Sequence, residues 1–169
     1  MRIAGPAVMT ERRFSILFCC MGNICRSPTA EGVVRQVLRT RGGELSVELD
    51  SAGTHDYHIG AAPDARAIQA AQRRGIDLSA LRARQVLAED FARFDLVLAM
   101  DEQNLADLRR LAPAHLHHRI KLVMDYALDL GVRNVPDPYY GSARGFEEVL
   151  DLLQAASEGL LADLQARLR

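Results

Sequence analysis

Apolar and polar positions change period several times along this chain, and each change marks an element boundary. Phe14-Ser15-Ile16-Leu17-Phe18-Cys19 is a short apolar run leading toward Gly22, the pattern of a buried strand that ends near Cys20 and enters a loop. Beyond the loop, Ala30, Val33, Val34, Val37 and Leu38 recur at helical spacing, with Ser27 as the expected N-cap, Pro28 in the first turn and Gly42-Gly43 as the stop. Val47 and Leu49 alternate with Glu48 and Asp50, which predicts a half-exposed strand reaching Ser51. Pro63 opens a helix through Ala67, Ile68 and Ala71 that Gly75 closes. Residues 95–100 read as another buried strand, followed by a helix that Asp101 caps and Pro113 stops, and Ile120 to Val123 as a fourth strand. From Gly145 onward Phe146, Val149, Leu150, Leu153, Leu160, Leu161, Leu164 and Leu168 form the apolar stripe of a closing helix. Strand and helix alternate throughout, so the expected fold is α/β: a single-domain open parallel sheet of about four strands with helices on both faces. Ligands of such folds bind beyond the carboxyl ends of the strands.

Composition narrows the function classes. The chain has 169 residues, a net charge of −1 and 49% hydrophobic residues, enough to build a core without a metal or disulfide staple. Its basic residues are twenty Arg and the single Lys121, which lies outside any Gly-rich loop and so excludes a GxxxxGK[ST] nucleotide loop. With no basic block and nine aromatics, nucleic acid is not an expected partner. No run approaches the roughly 20 apolar residues of a membrane span, so no membrane association is expected either. Residues 1–13 read as a flexible N-terminal tail, with Met9 a second candidate start, and residues 14–169 as the folded domain. The three cysteines, Cys19, Cys20 and Cys25, are too close together to staple distant parts of a fold, which suggests a reduced, cytoplasmic protein whose thiols do chemistry.

The chemistry is expected in the loop Cys20-Met21-Gly22-Asn23-Ile24-Cys25-Arg26-Ser27. A strand-to-helix loop gathers backbone N–H groups at a helix N-terminus, which makes an anion cradle. Gly22 and Asn23 tolerate the left-handed angles that turn N–H groups inward. Arg26 supplies a planar fork for two phosphate oxygens. Cys20, at the mouth, should become a thiolate in that positive potential, and Ser27 can donate to its sulfur. A nucleophile beside a phosphate-sized hole implies phosphoryl transfer through a phosphocysteine. Cys19 fits a buried apolar position at the strand end. The cysteines with His55 or His58 meet no zinc spacing, so neither a metal nor another cofactor is expected. His115, His117 and His118 read as a solvated turn after Pro113.

The segment from Leu17 to Glu31, together with Ser51-Ala52-Gly53-Thr54, Met100-Asp101 and Asp137-Pro138-Tyr139-Tyr140, resembles the low-molecular-weight protein tyrosine phosphatases from about Phe14 onward. The resemblance implies hydrolysis of phosphotyrosine in protein substrates, binding of phosphate or other tetrahedral oxyanions, and Asp137 as general acid and then general base. Local spacing alone reads Asp137 as a turn residue before Pro138. The resemblance also implies that Tyr57 and Tyr139, with Tyr140 beside them, wall a cleft, that Ile24 lies near the substrate ring, and that Asn23 and Ser51 form a hydrogen-bonded pair behind the loop. Cys25 would be the thiol that traps an oxidised Cys20. The chain departs from the family pattern at Leu81, where members often carry a His that extends the network behind Asn23.

Three other readings share parts of this pattern. Arsenate reductases on the same fold use further cysteines beyond the loop, and none follows Cys25. Protein-arginine phosphatases have Thr at the position of Ile24. Phosphocysteine carriers of sugar phosphotransfer pass the group on without hydrolysis, for which Arg26 and Asp137 would not be needed.

Overall fold

The computed structural model describes residues 12–168. Strand and helix alternate in the order β1 (Phe14–Cys20), α1 (Arg26–Arg41), β2 (Val47–Gly53), α2 (Ala65–Gln72), a single turn α3 (Asp90–Arg93), β3 (Leu96–Ala99), α4 (Glu102–Leu111), β4 (Ile120–Leu122) and α5 (Ala143–Arg167). Short 3-10 segments, Ala114–Arg119 and Val123–Leu130, flank β4. All pairings are parallel and the strand order is β2-β1-β3-β4. The chain winds outward from β1 to the edge strand β2, then returns past β1 to β3. That reversal opens a crevice at the carboxyl end of β1, where Cys20 lies.

Period-2 alternation in β1 divides its side chains between two cores. Ile16, Phe18 and Cys20 face the core that holds the apolar sides of α1, α2 and α5, whereas Leu17 and Cys19 face Phe91, Phe94 and Leu108 of α3, its C-terminal flank and α4. The sheet is therefore covered on both faces, in agreement with the fold read from the sequence. Adjacent cysteines end up on opposite sides of the sheet.

Several boundaries differ from the sequence reading. Helix α1 begins at Arg26 with Cys25 in the N-cap position and no side-chain cap, so Ser27 is not the cap; its hydroxyl is drawn to the Cys20 sulfur instead. Helix α2 stops at Gln72, and Gly75, with φ of 76°, makes the turn beyond it. Strand β4 ends at Leu122, with Val123 opening a 3-10 turn, and α5 starts at Ala143 rather than Gly145. Helix α3 was not legible, because one turn carries no periodic signal. Asp101 does cap α4, accepting from the Asn104 amide at 2.7 Å. Of the expected tail, residues 1–11 lie outside the described residues; Arg12 donates to the Arg93 carbonyl at 2.9 Å and to Asp95 at 2.7 Å. Among the described residues no helix is long and apolar enough to cross a membrane.

The close approach of α5 to the Val123–Leu130 segment makes a specific demand. A Cβ on Gly159 would run into the backbone carbonyl of Tyr126, which cannot swing aside as a side chain would. Gly159→Ala is therefore expected to destabilise the fold by about 1–3 kcal/mol through overpacking, although alanine is the better helix former by about 1 kcal/mol. Urea denaturation measures this, and an unchanged or raised midpoint would refute the packing argument.

Candidate active site

The loop between β1 and α1 is held from behind by its carbonyls. The Cys20 carbonyl accepts from the Thr54 amide at 2.8 Å and the Met21 carbonyl from His55 at 3.0 Å. The Ile24 carbonyl accepts from the Asp64 amide at 2.8 Å, and the Cys25 carbonyl takes both the amide and the hydroxyl of Thr29. Four carbonyls engaged on the outer side leave the loop's N–H groups to face inward, and the Asn23 N–H lies 3.3 Å from the Cys20 sulfur. The result is an anion cradle with a thiol at its floor.

Asn23 is the one non-glycine residue with positive φ among the described residues, at 58°. Asn tolerates that conformation better than most residues, and here its side chain is also fully used. Its Nδ2 donates to Ser27 Oγ at 2.8 Å and to Ser51 Oγ at 3.0 Å, and its Oδ1 accepts from the Arg84 amide at 3.0 Å. Because Ser27 Oγ already accepts from Asn23, its own hydrogen is free for the Cys20 sulfur, 3.0 Å away. Burial pushes the Glu31 pKa up, and its ion pair with Arg35 and the nearby Ser51 only partly restrain it. Leu81 packs against the larger core, and the backbone of Arg84 takes the free end of Asn23. Gly22 departs from the expectation: its φ is not positive. A Cβ there would stand 3.0 Å from the His58 ring, a tight contact that the histidine side chain can relieve by shifting.

Arg26 is buried, with one edge committed. Its Nη1 donates to Asp101 Oδ2 at 2.6 Å and to the Val135 carbonyl at 3.0 Å. Burial would lower its pKa, but the neighbouring Cys20, Asp101 and Asp137 outweigh that and raise it. Among the described residues its Nε and Nη2 make no hydrogen bond, so the second edge of the guanidinium remains for a ligand; the nearest carboxylate, Asp137 Oδ2, stands 3.8 Å from Nη2. Asp137 Oδ1 accepts from the Tyr139 amide at 3.1 Å, an Asx turn that aims the other oxygen toward Arg26.

A cleft of about 350 Å³ joins these groups. Cys20, Met21, Gly22, Ile24, Cys25 and Arg26 form its floor, and Tyr57, His58, Asp137, Tyr139 and Tyr140 its walls. Tyr57 stacks on His55 at 5.0 Å, and Tyr139 meets Tyr140 edge-on at 4.8 Å. Tyr140 is 93% exposed and stands at the rim. Ser27 and Ser51 lie behind the loop rather than in the cleft. Burial, with Asp64, Cys20 and Asp137 nearby, pushes the Cys25 thiol up to about 12. Burial raises Cys19 strongly as well, on the other face of the sheet.

Sequence reasoning missed three contributors. Asp101 was read only as a helix cap and part of a motif, although its second oxygen holds Arg26. His58 was weighed only as a metal ligand, yet it lines the cleft. The Asp64–Arg66 pair at the start of α2 was not singled out, because the partners of Arg66 beyond Asp64 are carbonyls of a distant loop. The histidines of the Ala114–Arg119 segment lie outside this cleft.

A family model described as low molecular weight phosphotyrosine protein phosphatase matches residues 15–169. A low molecular weight protein-tyrosine-phosphatase of Streptomyces coelicolor is 45% identical over 154 residues, covering 88% of this chain and 92% of that one. Among solved structures, a protein tyrosine phosphatase from Entamoeba histolytica with Hepes in the active site has a TM-score of 0.87 and 36% identity, covering 92% of this chain and 99% of that one. Vibrio vulnificus Wzb in complex with benzylphosphonate has a TM-score of 0.78 and 27% identity, covering 89% and 99%.

The Asn23 arrangement separates strain from bonding. Asn23→Gly removes the side-chain bonds at no conformational cost, whereas Asn23→Ala removes them and forces a Cβ into the left-handed region for about 1–2 kcal/mol. Orthovanadate affinity is expected to fall in the order wild type, Gly variant, Ala variant, with about tenfold between the last two. An Ala variant that binds as tightly as wild type would show that the cradle does not depend on this residue.

Proposed function

This chain belongs to the low molecular weight phosphotyrosine protein phosphatase family and is a protein tyrosine phosphatase, and we propose that it hydrolyses its substrates through a phosphocysteine on Cys20. The observation that carries this reading is the convergence of Cys20, the free edge of Arg26 and Asp137 on one cleft.

The phosphate dianion enters the cradle, taking the inward N–H groups and the Nε and Nη2 edge of Arg26. The Cys20 thiolate attacks phosphorus, the bond to the tyrosyl oxygen breaks, and Asp137 passes its proton to that oxygen. The phosphate now resides on sulfur. Asp137, ionised, takes a proton from water as its oxygen attacks phosphorus; the P–S bond breaks and the sulfur leaves as thiolate with the Ser27 hydroxyl directed at it. Phosphate departs and Asp137 is protonated again. Arg26 and the amides supply the charge throughout, so turnover is expected to be unchanged by EDTA. The aromatic walls and Ile24 suit a flat phenyl ring, and the Hepes and benzylphosphonate of the two similar structures support a tetrahedral oxyanion as ligand. A thiolate mechanism needs Cys20 reduced, which fits a cytoplasmic setting.

The test compares phosphotyrosine, phosphoserine and phosphoarginine peptides with a series of aryl phosphates. Phosphotyrosine should lead in kcat/KM, Cys20→Ser should abolish turnover while still binding vanadate, and Asp137→Ala should lose about 10²–10⁴ with poor leaving groups and much less with activated ones. Preference for phosphoarginine would replace the substrate assignment, and an even loss across the series would remove Asp137 as the acid.

Redox control follows from the same floor. Peroxide transfers one oxygen to the Cys20 thiolate as its O–O bond breaks, giving the sulfenic acid and hydroxide, and the Cys25 sulfur then attacks the Cys20 sulfur, expelling its oxygen as water and leaving a disulfide. The raised pKa of Cys25 keeps it a thiol at neutral pH, so its attacking thiolate fraction grows as pH rises toward about 12. Inactivation by peroxide should be reversed by dithiothreitol, with the disulfide share increasing from pH 6 to pH 9. Mass spectrometry finding a Cys19–Cys20 link would sink this pairing.

A further inference from the structure

We propose that Arg66 is a positioning residue that holds the proton-donor loop, residues 137–141, over the phosphate loop; the proposal rests on the reading of Asp137 as proton donor. Asp137 is poorly anchored for such a role. Its side chain is 42% exposed, and its contacts are the Tyr139 amide of its own turn and the 3.8 Å approach to Arg26. A second bond within the same turn runs from the Gly141 amide to the Pro138 carbonyl at 3.1 Å. These internal bonds shape the turn but do not fix it to the body of the protein.

Arg66 supplies that attachment. One edge of its guanidinium is clamped by Asp64, with Nε donating to Oδ1 at 3.0 Å and Nη2 to Oδ2 at 2.9 Å. The far side reaches the donor loop, where Nη2 donates to the Tyr139 carbonyl at 2.9 Å and Nη1 to the Gly141 carbonyl at 3.4 Å. The plane of the group lies against the Phe146 ring at 4.7 Å and the Tyr139 ring at 5.8 Å, which restricts its rotation. Asp64 is itself tied to the cradle, because its amide donates to the Ile24 carbonyl at 2.8 Å. A rigid fork thus spans from a carbonyl of the phosphate loop to two carbonyls of the donor loop. On the opposite flank the Val135 amide is bound to the Met100 carbonyl at 2.8 Å, and the Val135 carbonyl to Arg26. The donor loop is therefore pinned at both ends, once by a backbone bond and once by Arg66.

Displacing a proton donor by about an ångström costs on the order of a hundredfold where proton transfer matters and little where it does not. Arg66→Met is accordingly expected to lose roughly ten- to a hundredfold in kcat/KM, which reports the step in which the leaving group departs, with phenyl phosphate and about twofold with an activated nitrophenyl ester. Vanadate affinity should stay close to wild type, since the cradle is held by other bonds. In an Asp137→Ala background the same substitution should add nothing with phenyl phosphate, because the donor it positions is gone. Arg66→Lys, which can reach one carbonyl but cannot bridge, should recover part of the loss. Asp64→Asn, which retains the helix cap and the backbone bond to Ile24 but releases the fork, should show the same leaving-group signature in weaker form. The experiment measures kcat/KM across the leaving-group series for the wild type and the five variants, with vanadate inhibition reporting whether each cradle is intact. An even loss for Arg66→Met across the series, or a full additional loss on top of Asp137→Ala, overturns the proposal while leaving Asp137 in its role. If Asp137→Ala itself shows an even loss, the donor assignment fails and the proposal falls with it. Should Arg66→Met lose vanadate binding, Asp64→Asn and Arg66→Lys decide the matter by the same signature.

Discussion

Four carbonyl groups bonded on the outer side of the loop between β1 and α1 direct its N–H groups inward, and the remainder of this site depends on that constraint. Thr54, His55, Asp64 and Thr29 each hold one carbonyl between Cys20 and Cys25. None of these four carbonyls can turn toward the anion without breaking its bond, a loss of about 1–3 kcal/mol for each buried group left unpaired. Asn23 completes the closure from the inside: its left-handed backbone reverses the chain, and its amide joins the loop to β2 through Ser51 and to the segment beyond α2 through Arg84. The cradle is therefore shaped before any ligand arrives, which is the condition for electrostatic stabilisation without reorganisation.

The buried guanidinium of Arg26 shows how the site keeps a charge in its floor. A cation that far from water is tolerated only when it is paired, and removing one partner of such a pair costs about 3–5 kcal/mol. Asp101 meets that need on the Nη1 edge while its other oxygen caps α4, so one carboxylate fixes both a helix start and the orientation of the fork. Asp137 approaches the opposite edge without closing a hydrogen bond. The two acids are thus divided by geometry into one that holds the arginine and one that faces the space where a phosphate would lie.

The three cysteines illustrate how little sequence proximity means across a sheet. Cys19 and Cys20 are neighbours in the chain, yet strand alternation sends one into the core against α4 and turns the other to the opposite face, at the floor of the cleft. Cys25, five positions on, returns to the same cleft because the loop between them folds back on itself. Burial leaves Cys19 and Cys25 as poor thiolates at neutral pH.

Periodicity and punctuation were sufficient for the layers of this fold. Period-2 and period-3.6 runs long enough to average out local noise marked four strands and the main helices, and a strand feeding Cys20 into a Gly-Asn turn before an arginine marked the anion cradle. These features are local, and local features are what a linear pattern encodes. Asp137 was reachable only by resemblance to a family, because nothing near it in the chain distinguishes a proton donor from a turn residue. The single turn α3, the close approach of His58 to Gly22, the second duty of Asp101 and the bridge made by Arg66 were not legible at all. The last three depend on a partner that only the fold brings close: a histidine ring over Gly22, a buried arginine beside Asp101, two carbonyls within reach of a guanidinium. Only the folded chain brings residues 64–66 and 137–141 within hydrogen-bonding distance, since no periodicity along the sequence couples segments that far apart.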